Sequence, residues 1–171
     1  MEIPTFWKIG PFQLRASSGR PASVSGVFVV DASATVKLLV EETGTEQARL
    51  FFGRLTQIDP PAFYAPDLLY VECANAVCKY VTLYRYPLRH AEAALETLTA
   101  LALHPIPTQE LFLDAFALSI RHRISNYDAC YLALAQGLSC PLITEDSNLT
   151  RTVRRHAEVP LYSLAEAVSL P

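Results

Sequence analysis

Four acidic residues stand where a carboxylate is locally out of place, because each ends or interrupts an apolar segment of the chain. They are Asp31, Glu72, Asp128 and Asp146. Carboxylates are rarely buried without a partner, so several of them at the edges of apolar elements suggest a shared cation. Hard oxygen donors with few Cys or His side chains nearby suit Mg²⁺ or Mn²⁺. The pattern therefore predicts divalent-metal chemistry.

Three of these acids also fit a purely structural role, which the sequence alone leaves open. Asp31 and Asp146 each stand between a predicted strand and a predicted helix, where an aspartate caps the helix. Asp128 lies three residues after Ser125, the spacing of a capping box, and an acid in a first helical turn complements the helix dipole. The two roles are compatible, since one carboxylate oxygen can cap while the other binds a cation.

Glu72 is the acid that a helix cap does not explain. It shares a helical stripe with Asn75 and Lys79 beside an apolar stripe, a pattern that favours a site but also fits a short solvated face. Glu145 competes with Asp146 as a ligand, although alternation along the preceding strand places the two side chains on opposite sides.

Short apolar, β-branched runs alternate with helical patterns from residue 26 onward, and this alternation predicts βαβ units and a parallel sheet. Strands are predicted at 27–30, 63–65, 142–144 and 159–162, with a short extended piece between Pro105 and Pro107. Helices are predicted at 33–42, 45–57, 67–84, 87–103, 109–121, 126–138, 147–156 and 164–168. Sites in such sheets form beyond the carboxyl ends of the strands, so we expect all four acids at one sheet edge.

Composition sets limits on what the chain does. Its 171 residues predict one domain, and 51% apolar residues indicate a surplus that a dimer interface would bury. The net charge of −3 argues against a uniformly basic nucleic-acid surface, while leaving room for a local basic rim. The four cysteines show no zinc spacing and no CxxC, which favours small buried apolar residues. Without a signal peptide or a membrane-length apolar run, the expected location is the reducing cytoplasm.

Residues 1–24 differ from the rest of the chain, because proline, glycine and serine interrupt any regular period. We expect this segment to be an N-terminal extension that either packs on the domain or is mobile, and the domain itself to span residues 25–171.

The segments that carry the four acids also resemble a known family in their order. They read Val-Val-Asp-Ala-Ser over 29–33, a long helix with Glu72, Tyr-Asp-Ala-Cys-Tyr-Leu-Ala-Leu-Ala over 127–135, and Leu-Ile-Thr-Glu-Asp-Ser-Asn-Leu over 142–149. The chain resembles the PIN-domain ribonucleases, in particular the VapC-type toxins of toxin–antitoxin pairs, over roughly residues 26 to 165. The resemblance implies an α/β, three-layer fold with a central, mainly parallel sheet of about five short strands flanked by helices.

The same resemblance implies a metal-dependent endoribonuclease. Asp31, Glu72, Asp128 and Asp146 would form the acidic cluster that binds Mg²⁺ or Mn²⁺, with hydroxyls of Ser33 and Thr144 beside the metal. We hypothesise that the three aspartates hold the metal and that Glu72 ligates through water or orients the nucleophile. Single-stranded or loop RNA, from transfer or ribosomal RNA, is the implied substrate. The resemblance further implies a homodimer and a small antitoxin that covers the acidic site.

RNA binding needs positive charge that the acidic centre lacks. The candidate contacts are Lys79, Arg121, Arg123, Arg151, Arg154 and Arg155, each of which also fits ordinary surface charge. Tyr127 and Tyr131 either stack on a base or pack in the core.

Three other functions remain open at this stage. A catalytically inactive PIN-like domain would bind metal and act through a protein partner. A housekeeping nuclease would process RNA without an antitoxin. A phosphoryl-transfer or receiver-like domain would need a second acid beside Asp31, which Ala32 and Ser33 do not supply.

Overall fold

A five-stranded sheet, parallel throughout, is the centre of this computed structural model, which describes residues 26–154 and 159–170. The strands are β1 Val27–Val30, β2 Ala62–Pro66, β3 Leu103–Ile106, β4 Leu142–Ile143 and β5 Leu161–Tyr162, in the spatial order β3-β2-β1-β4-β5. From the central strand β1, β2 and β3 follow on one side of the sheet, and β4 and β5 follow on the other side. The gap between the carboxyl ends of β1 and β4 is therefore the topological switch point, where α/β sheets place their sites.

Eight helices connect and flank these strands within the described residues. They are α1 Ala32–Leu39, α2 Thr45–Phe52, α3 Leu68–Tyr84, α4 Leu88–Ala100, α5 Thr108–His122, α6 Asn126–Leu138, α7 Ser147–Val153 and α8 Leu164–Ala167. The α/β fold and its five short strands are confirmed, and the sheet is wholly rather than mainly parallel. No helix in this part of the chain has both the length and the apolar character to cross a bilayer.

β1 and α6 form the inner core because their residues are apolar on every side. Val29 and Val30 of β1 are fully buried between β2 and β4, as expected for a central parallel strand. In α6, the seven consecutive residues 129–135 are buried, and the helix packs on β1, β2 and β4. Helix α5 packs on α6, while α3 packs on α1 and α4. This arrangement fixes the starts of α1 and α6 relative to the carboxyl edge of the sheet.

The predicted end of α4 at Leu103 is wrong, since the helix stops at Ala100 and Leu103 begins β3. β3 pairs with β2 alone, so it is an edge strand. An edge strand tolerates Pro105 because its missing N–H is not needed by a second neighbour. Shorter adjustments occur elsewhere: α1 ends at Leu39 instead of residue 42, and a 3₁₀ turn, Gly53–Thr56, follows α2.

Asp67 is the N-cap residue of α3, as its position after Pro66 predicts, but its side chain makes no capping hydrogen bond. The carboxylate instead accepts hydrogen bonds from the backbone N–H and the hydroxyl of Thr108, which ties the start of α3 to the start of α5. Three of the four cysteines are buried as expected, whereas Cys78 is exposed on α3. The extension over residues 1–24 and the last part of the 147–156 helix lie outside the described residues.

Candidate active site

All four sequence-predicted acids line one cavity at the carboxyl edge of the sheet. This cavity, of about 510 Å³, is called the acidic cavity below and also contains Ser33 and Lys79. Asp31 reaches it from the end of β1, and Asp146 from the turn after β4. Glu72 enters from the second turn of α3, and Asp128 from the first turn of α6. The sheet edge expected from the sequence is therefore the edge at which the acids meet.

Two hydroxyl groups hold Asp31, which is only 5% exposed. Thr144 Oγ1 donates to Asp31 Oδ2 at 2.5 Å, and Ser33 Oγ donates to the same oxygen at 3.0 Å. The hydroxyls also accept backbone N–H groups, Ser33 from Glu145 and Thr144 from Asp146. This network joins the end of β1, the start of α1 and the turn after β4. Ser33 and Thr144 thus both contact Asp31, and their expected place beside a metal stays a prediction.

Asp128 and Asp146 both act at the start of a helix, as their sequence contexts predict. Asp146 Oδ1 accepts the backbone N–H groups of Asn148 and Leu149 at 2.7 and 2.9 Å. At the start of α6, Ser125 Oγ accepts the N–H of Asp128 and donates to Asp128 Oδ2 at 2.7 Å. Each aspartate uses one oxygen in these bonds. Capping and a position on the acidic cavity therefore coexist.

Glu72 is held by a residue from a different helix. Tyr131 of α6 donates its hydroxyl to Glu72 Oε2 at 2.6 Å. Glu145, the competing acid, borders the same cavity but its Oε1 accepts the backbone N–H of Leu164 at 2.7 Å. The structure thus commits one oxygen of Glu145 to anchoring the start of α8.

Burial and mutual repulsion act together on the acids. Desolvation raises the pKa of Asp31, and the charge of Asp128 raises it further, against the hydrogen bonds from Thr144 and Ser33. Burial likewise raises the pKa of Glu72 and of Asp128, and neighbouring carboxylates add to both shifts. Each group would hold a proton more readily than a free carboxyl does. Negative charge at this site is therefore costly until a cation compensates it.

The hydrogen-bond donors that hold the four acids are neutral groups, so they do not cancel the negative charge of the carboxylates. The four carboxylates are bonded by hydroxyls and backbone amides, and within residues 26–154 and 159–170 none of them forms a salt bridge. Two lysines, Lys37 and Lys79, line the cavity, and Lys37 is paired with Glu42 at 3.1 Å. The groups that hold the four carboxylates therefore orient them without compensating their negative charge.

The donor set fits a hard divalent cation. In the described part of the chain no three acidic, His or Cys side chains stand close enough to form a complete protein cage. Mg²⁺ does not need one, because it keeps several waters and takes one or two carboxylates directly. Glu72, Asp128 and Asp146 each leave one oxygen to which no described protein group donates. Those oxygens are available to an ion or to its waters.

The candidate RNA contacts fall in different places. Lys79 lines the acidic cavity, and Arg151 and Arg154 line a neighbouring cleft of about 540 Å³ that shares Glu145 with it. Arg123 is exposed in the turn before α6. Arg121 lies on a separate cavity with Ser139 and Pro160, which directly precede β4 and β5 at the opposite sheet edge. Lys79 thus shares the cavity with the acids, Arg154 in the neighbouring cleft pairs with Glu166 at 3.4 Å, and Arg121 lies away from the site. Arg155 lies outside the described residues.

Lys37 and Tyr131 are site residues that the sequence reasoning missed or assigned otherwise. Lys37 lines the acidic cavity from α1, one turn beyond Ser33. That four-residue spacing places both side chains on the same face of α1 and could have indicated Lys37.

Tyr131 is fully buried, so it cannot stack on a base, whereas Tyr127 is 65% exposed. The available signal for Tyr131 was a hydroxyl inside an otherwise apolar helix, since a buried tyrosine hydroxyl usually has a hydrogen-bond partner.

Comparisons with known proteins agree with this geometry. Residues 28–155 match the family model described as PIN domain. The chain is 37% identical over 128 residues to "Ribonuclease VapC3" of Pyrobaculum aerophilum, covering 71% of this chain and 91% of that protein. It is 32% identical over 133 residues to "Ribonuclease VapC1" of Mycobacterium tuberculosis, covering 78% and 96%.

Solved structures show the same fold. The crystal structure of PAE2754 from Pyrobaculum aerophilum superposes with a TM-score of 0.60 at 20% identity, covering 84% of this chain and 94% of that chain. VapBC2 from Rickettsia felis, crystallised with a DNA fragment from its promoter, gives a TM-score of 0.53 at 11% identity, covering 80% and 98%. At these identities the likeness establishes the fold.

Replacing Asp31 with asparagine should stabilise the metal-free protein. Because burial and Asp128 raise the pKa of Asp31, the folded state binds this proton more tightly than the unfolded chain does, and the free energy of unfolding falls as pH rises through that raised pKa. Asp31→Asn removes the charge and should add about 0.5–2 kcal/mol at about pH 8, a gain that shrinks toward about pH 4. Urea unfolding in EDTA across that range measures it.

Asp114→Asn, on α5 outside the acidic cavity, is the matched control and should show no such pH-dependent gain. A loss of stability in Asp31→Asn at every pH would show that the carboxylate is a net stabilising group and that repulsion at the site is negligible.

Proposed function

The chain belongs to the PIN-domain family and, within it, to the VapC group, and we propose that it is a metal-dependent endoribonuclease serving as the toxin of a toxin–antitoxin pair. The observation that carries the proposal is the acidic cavity, in which four carboxylates held by neutral donors face one another at the switch point of the sheet. The relatives named ribonucleases supply the substrate class.

We propose Mg²⁺, with Mn²⁺ as an alternative, as the ion of this site, held by Asp31, Asp128 and Asp146, of which one or two would bind it directly and the rest through its waters. When bound, such an ion makes hydroxide available near neutral pH and offsets negative charge on the phosphate oxygens. The protein's own contribution is to hold the carboxylates where they converge. Ser33 and Thr144 keep Asp31 in place, and the capping bonds of Asp128 and Asp146 fix those side chains to rigid helix starts.

Glu72 suits a different role from the three aspartates. In hydrolysis the oxygen of a water attacks phosphorus and the water gives up a proton, while the P–O bond to the departing nucleotide breaks and the departing oxygen takes up a proton. Glu72 stands on α3 at the side of the cavity, half-buried, with one oxygen held by Tyr131. Burial raises the pKa of the Glu72 carboxyl, and a neighbouring cation would oppose that shift. We therefore assign Glu72 to orienting the water, directly or through the ion's hydration shell.

Positive charge for the RNA comes from the rim rather than the centre. Lys79 lies two turns after Glu72 on the same face of α3, in the same cavity. Lys37 is held by Glu42 and is half-buried, so it is the less available of the two lysines. Arg151 and Arg154 continue the rim into the neighbouring cleft, which Ser147 and Thr150 also line. A strand of RNA whose scissile phosphate sits over the acids would extend toward these arginines.

The exposed face of α5 supports the proposed homodimer. Phe112, Phe116 and Ile120 are spaced four residues apart along one stripe and are 48, 45 and 67% exposed. A contiguous apolar stripe of this kind marks an interaction surface, and a two-fold dimer would bury the same stripe of both copies.

The proposed antitoxin would bind through positive charge instead. A basic side chain placed in the acidic cavity would neutralise the carboxylates as a metal ion would.

Asp128→Asn should abolish RNA cleavage. The test incubates a mixed pool of transfer and ribosomal RNA with purified protein in Mg²⁺, Mn²⁺ or EDTA, and compares wild type with the variant. Loss of a ligand to an ion that contributes several kcal/mol to transition-state stabilisation should reduce the rate at least about 100-fold. Wild type should produce discrete cuts that EDTA removes.

Asp114→Asn is the matched control for this assay and should cut as wild type does. Wild-type protein that is free of copurified partner, binds Mn²⁺ and cuts no RNA in either metal would instead support the inactive, partner-binding domain.

Lys79→Ala should weaken RNA binding more than it slows chemistry. Measured on an oligonucleotide that spans a cut site from the pool, the KM should rise several-fold with kcat nearly unchanged, and the salt dependence of binding should lose about one unit of slope. Arg121→Ala is the control, because Arg121 lies on the cavity at the opposite sheet edge. Equal effects of the two substitutions would show that general surface charge, and not the rim of the site, binds the RNA.

The toxin assignment predicts growth arrest when the chain is expressed alone in a bacterial host. Coexpression of the neighbouring gene's product should relieve the arrest, and Asp128→Asn should not cause it. A housekeeping nuclease would cut RNA in vitro without arresting growth or needing the product of a neighbouring gene.

The proposed homodimer predicts that light scattering of the purified chain gives twice the mass of one copy. A monomer would contradict the proposed α5 interface.

A further inference from the structure

Tyr131 is the most deeply buried tyrosine among the described residues, and its hydroxyl points at the reaction site. The side chain is fully buried within the apolar stretch of α6, and its hydroxyl donates to Glu72 Oε2 at 2.6 Å. Glu72 belongs to α3, 59 residues away in sequence. The contact therefore links the two helices that bring acids to the cavity from outside the sheet.

Core packing does not account for this hydroxyl. A phenylalanine would fill the same volume without a polar atom, and burying a hydroxyl is unfavourable unless it finds a hydrogen-bond partner. The partner here is a carboxylate of the acidic cavity, and a hydrogen bond to an ionised group is stronger than one between neutral groups. What the hydroxyl adds to the protein is therefore its bond to Glu72.

The bond limits where the Glu72 carboxylate can lie. A glutamate has more rotatable bonds than an aspartate, and Glu72 is only half-buried, so its head group would otherwise sample several positions. With Oε2 held by Tyr131, the second oxygen is left for the acidic cavity that Glu72 lines. Tyr131 lies one helical turn after Asp128 on α6. The same rigid helix thus carries one acid of the site directly and holds another through a hydrogen bond.

We propose that Tyr131 is a positioning residue for the active site, whose hydroxyl holds the Glu72 carboxylate in the place from which it acts on the metal's water shell or on the attacking water. This inference rests on the proposed function of the same site. It assigns to Tyr131 no contact with RNA or with the ion, since the side chain is fully buried.

The test compares Tyr131→Phe with wild type, using Tyr64→Phe as the matched control. Tyr64 is partly buried on β2 and stacks on His104 at a centroid distance of 4.9 Å, away from the acidic cavity. Two quantities are measured: the Mn²⁺ dissociation constant by calorimetry, and kcat and KM for the RNA oligonucleotide at rising Mn²⁺ concentration. Thermal unfolding in EDTA reports whether each variant is folded.

Partners that orient metal-site ligands typically change affinity or activity by about 10- to 100-fold when removed. We expect Tyr131→Phe to weaken Mn²⁺ binding or to lower kcat at saturating Mn²⁺ by about tenfold, with the KM for RNA unchanged. Tyr64→Phe should match wild type in both. In the Glu72→Gln background the tyrosine substitution should have no further effect, because two residues that act through one contact are not additive.

The possible failures are distinguishable. A wild-type protein that neither binds Mn²⁺ nor cuts RNA would overturn the proposed function, and the positioning role with it. An active wild type matched within twofold by Tyr131→Phe in Mn²⁺ affinity and kcat would overturn the positioning role alone, and a lower unfolding temperature in that variant would then assign Tyr131 to stability. An equal loss in the wild-type and Glu72→Gln backgrounds would also overturn it, since the effect would not pass through Glu72.

Discussion

Repulsion among half-buried carboxylates is the constraint on which the rest of this structure depends. Four acids share one cavity, and burial raises the pKa of three of them. Pairing such groups with arginine or lysine would relieve the repulsion. This chain instead bonds them to hydroxyls and backbone amides, which orient a carboxylate without cancelling its charge. Uncompensated negative charge of this kind favours the binding of a cation.

The scaffold explains how the acids are brought to one cavity. β1 and β4 are neighbours in a sheet buried on both sides, so Asp31 and Asp146 leave it at fixed, adjacent points. α6 is buried along seven residues, and α3 is tied to it by the bond from Tyr131 to Glu72. Repulsion at the cavity is therefore opposed by the burial of large apolar surfaces behind it. Functional sites commonly hold such locally unfavourable groups at the expense of stability.

The sequence predicted the parts of this site that follow from local pattern. Strand–helix alternation placed Asp31 and Asp146 at one sheet edge, and capping spacings located Asp128, because both signals lie within a few residues of the acid itself. Contacts across the fold were not predictable in that way. Nothing near Tyr131 indicates that its partner is Glu72, and nothing near Arg121 indicates that it faces the other edge of the sheet. The strand at Pro105 was also obscured, since proline weakens a strand pattern unless the strand is known to be an edge.

Lys37 shows why proximity to the acids is not the same as compensation. It lines the acidic cavity, yet its ammonium is engaged by Glu42, and Gly44, two residues after Glu42, has a φ of +98°. A side chain at that glycine would be strained, and its Cβ would lie 3.5 Å from Lys37. The pairing of Lys37 with Glu42 thus keeps the one nearby lysine of α1 from neutralising the cluster. The cavity stays anionic in the folded protein, which is the condition for an external cation, from a metal ion or from a partner's basic side chain, to compete for it.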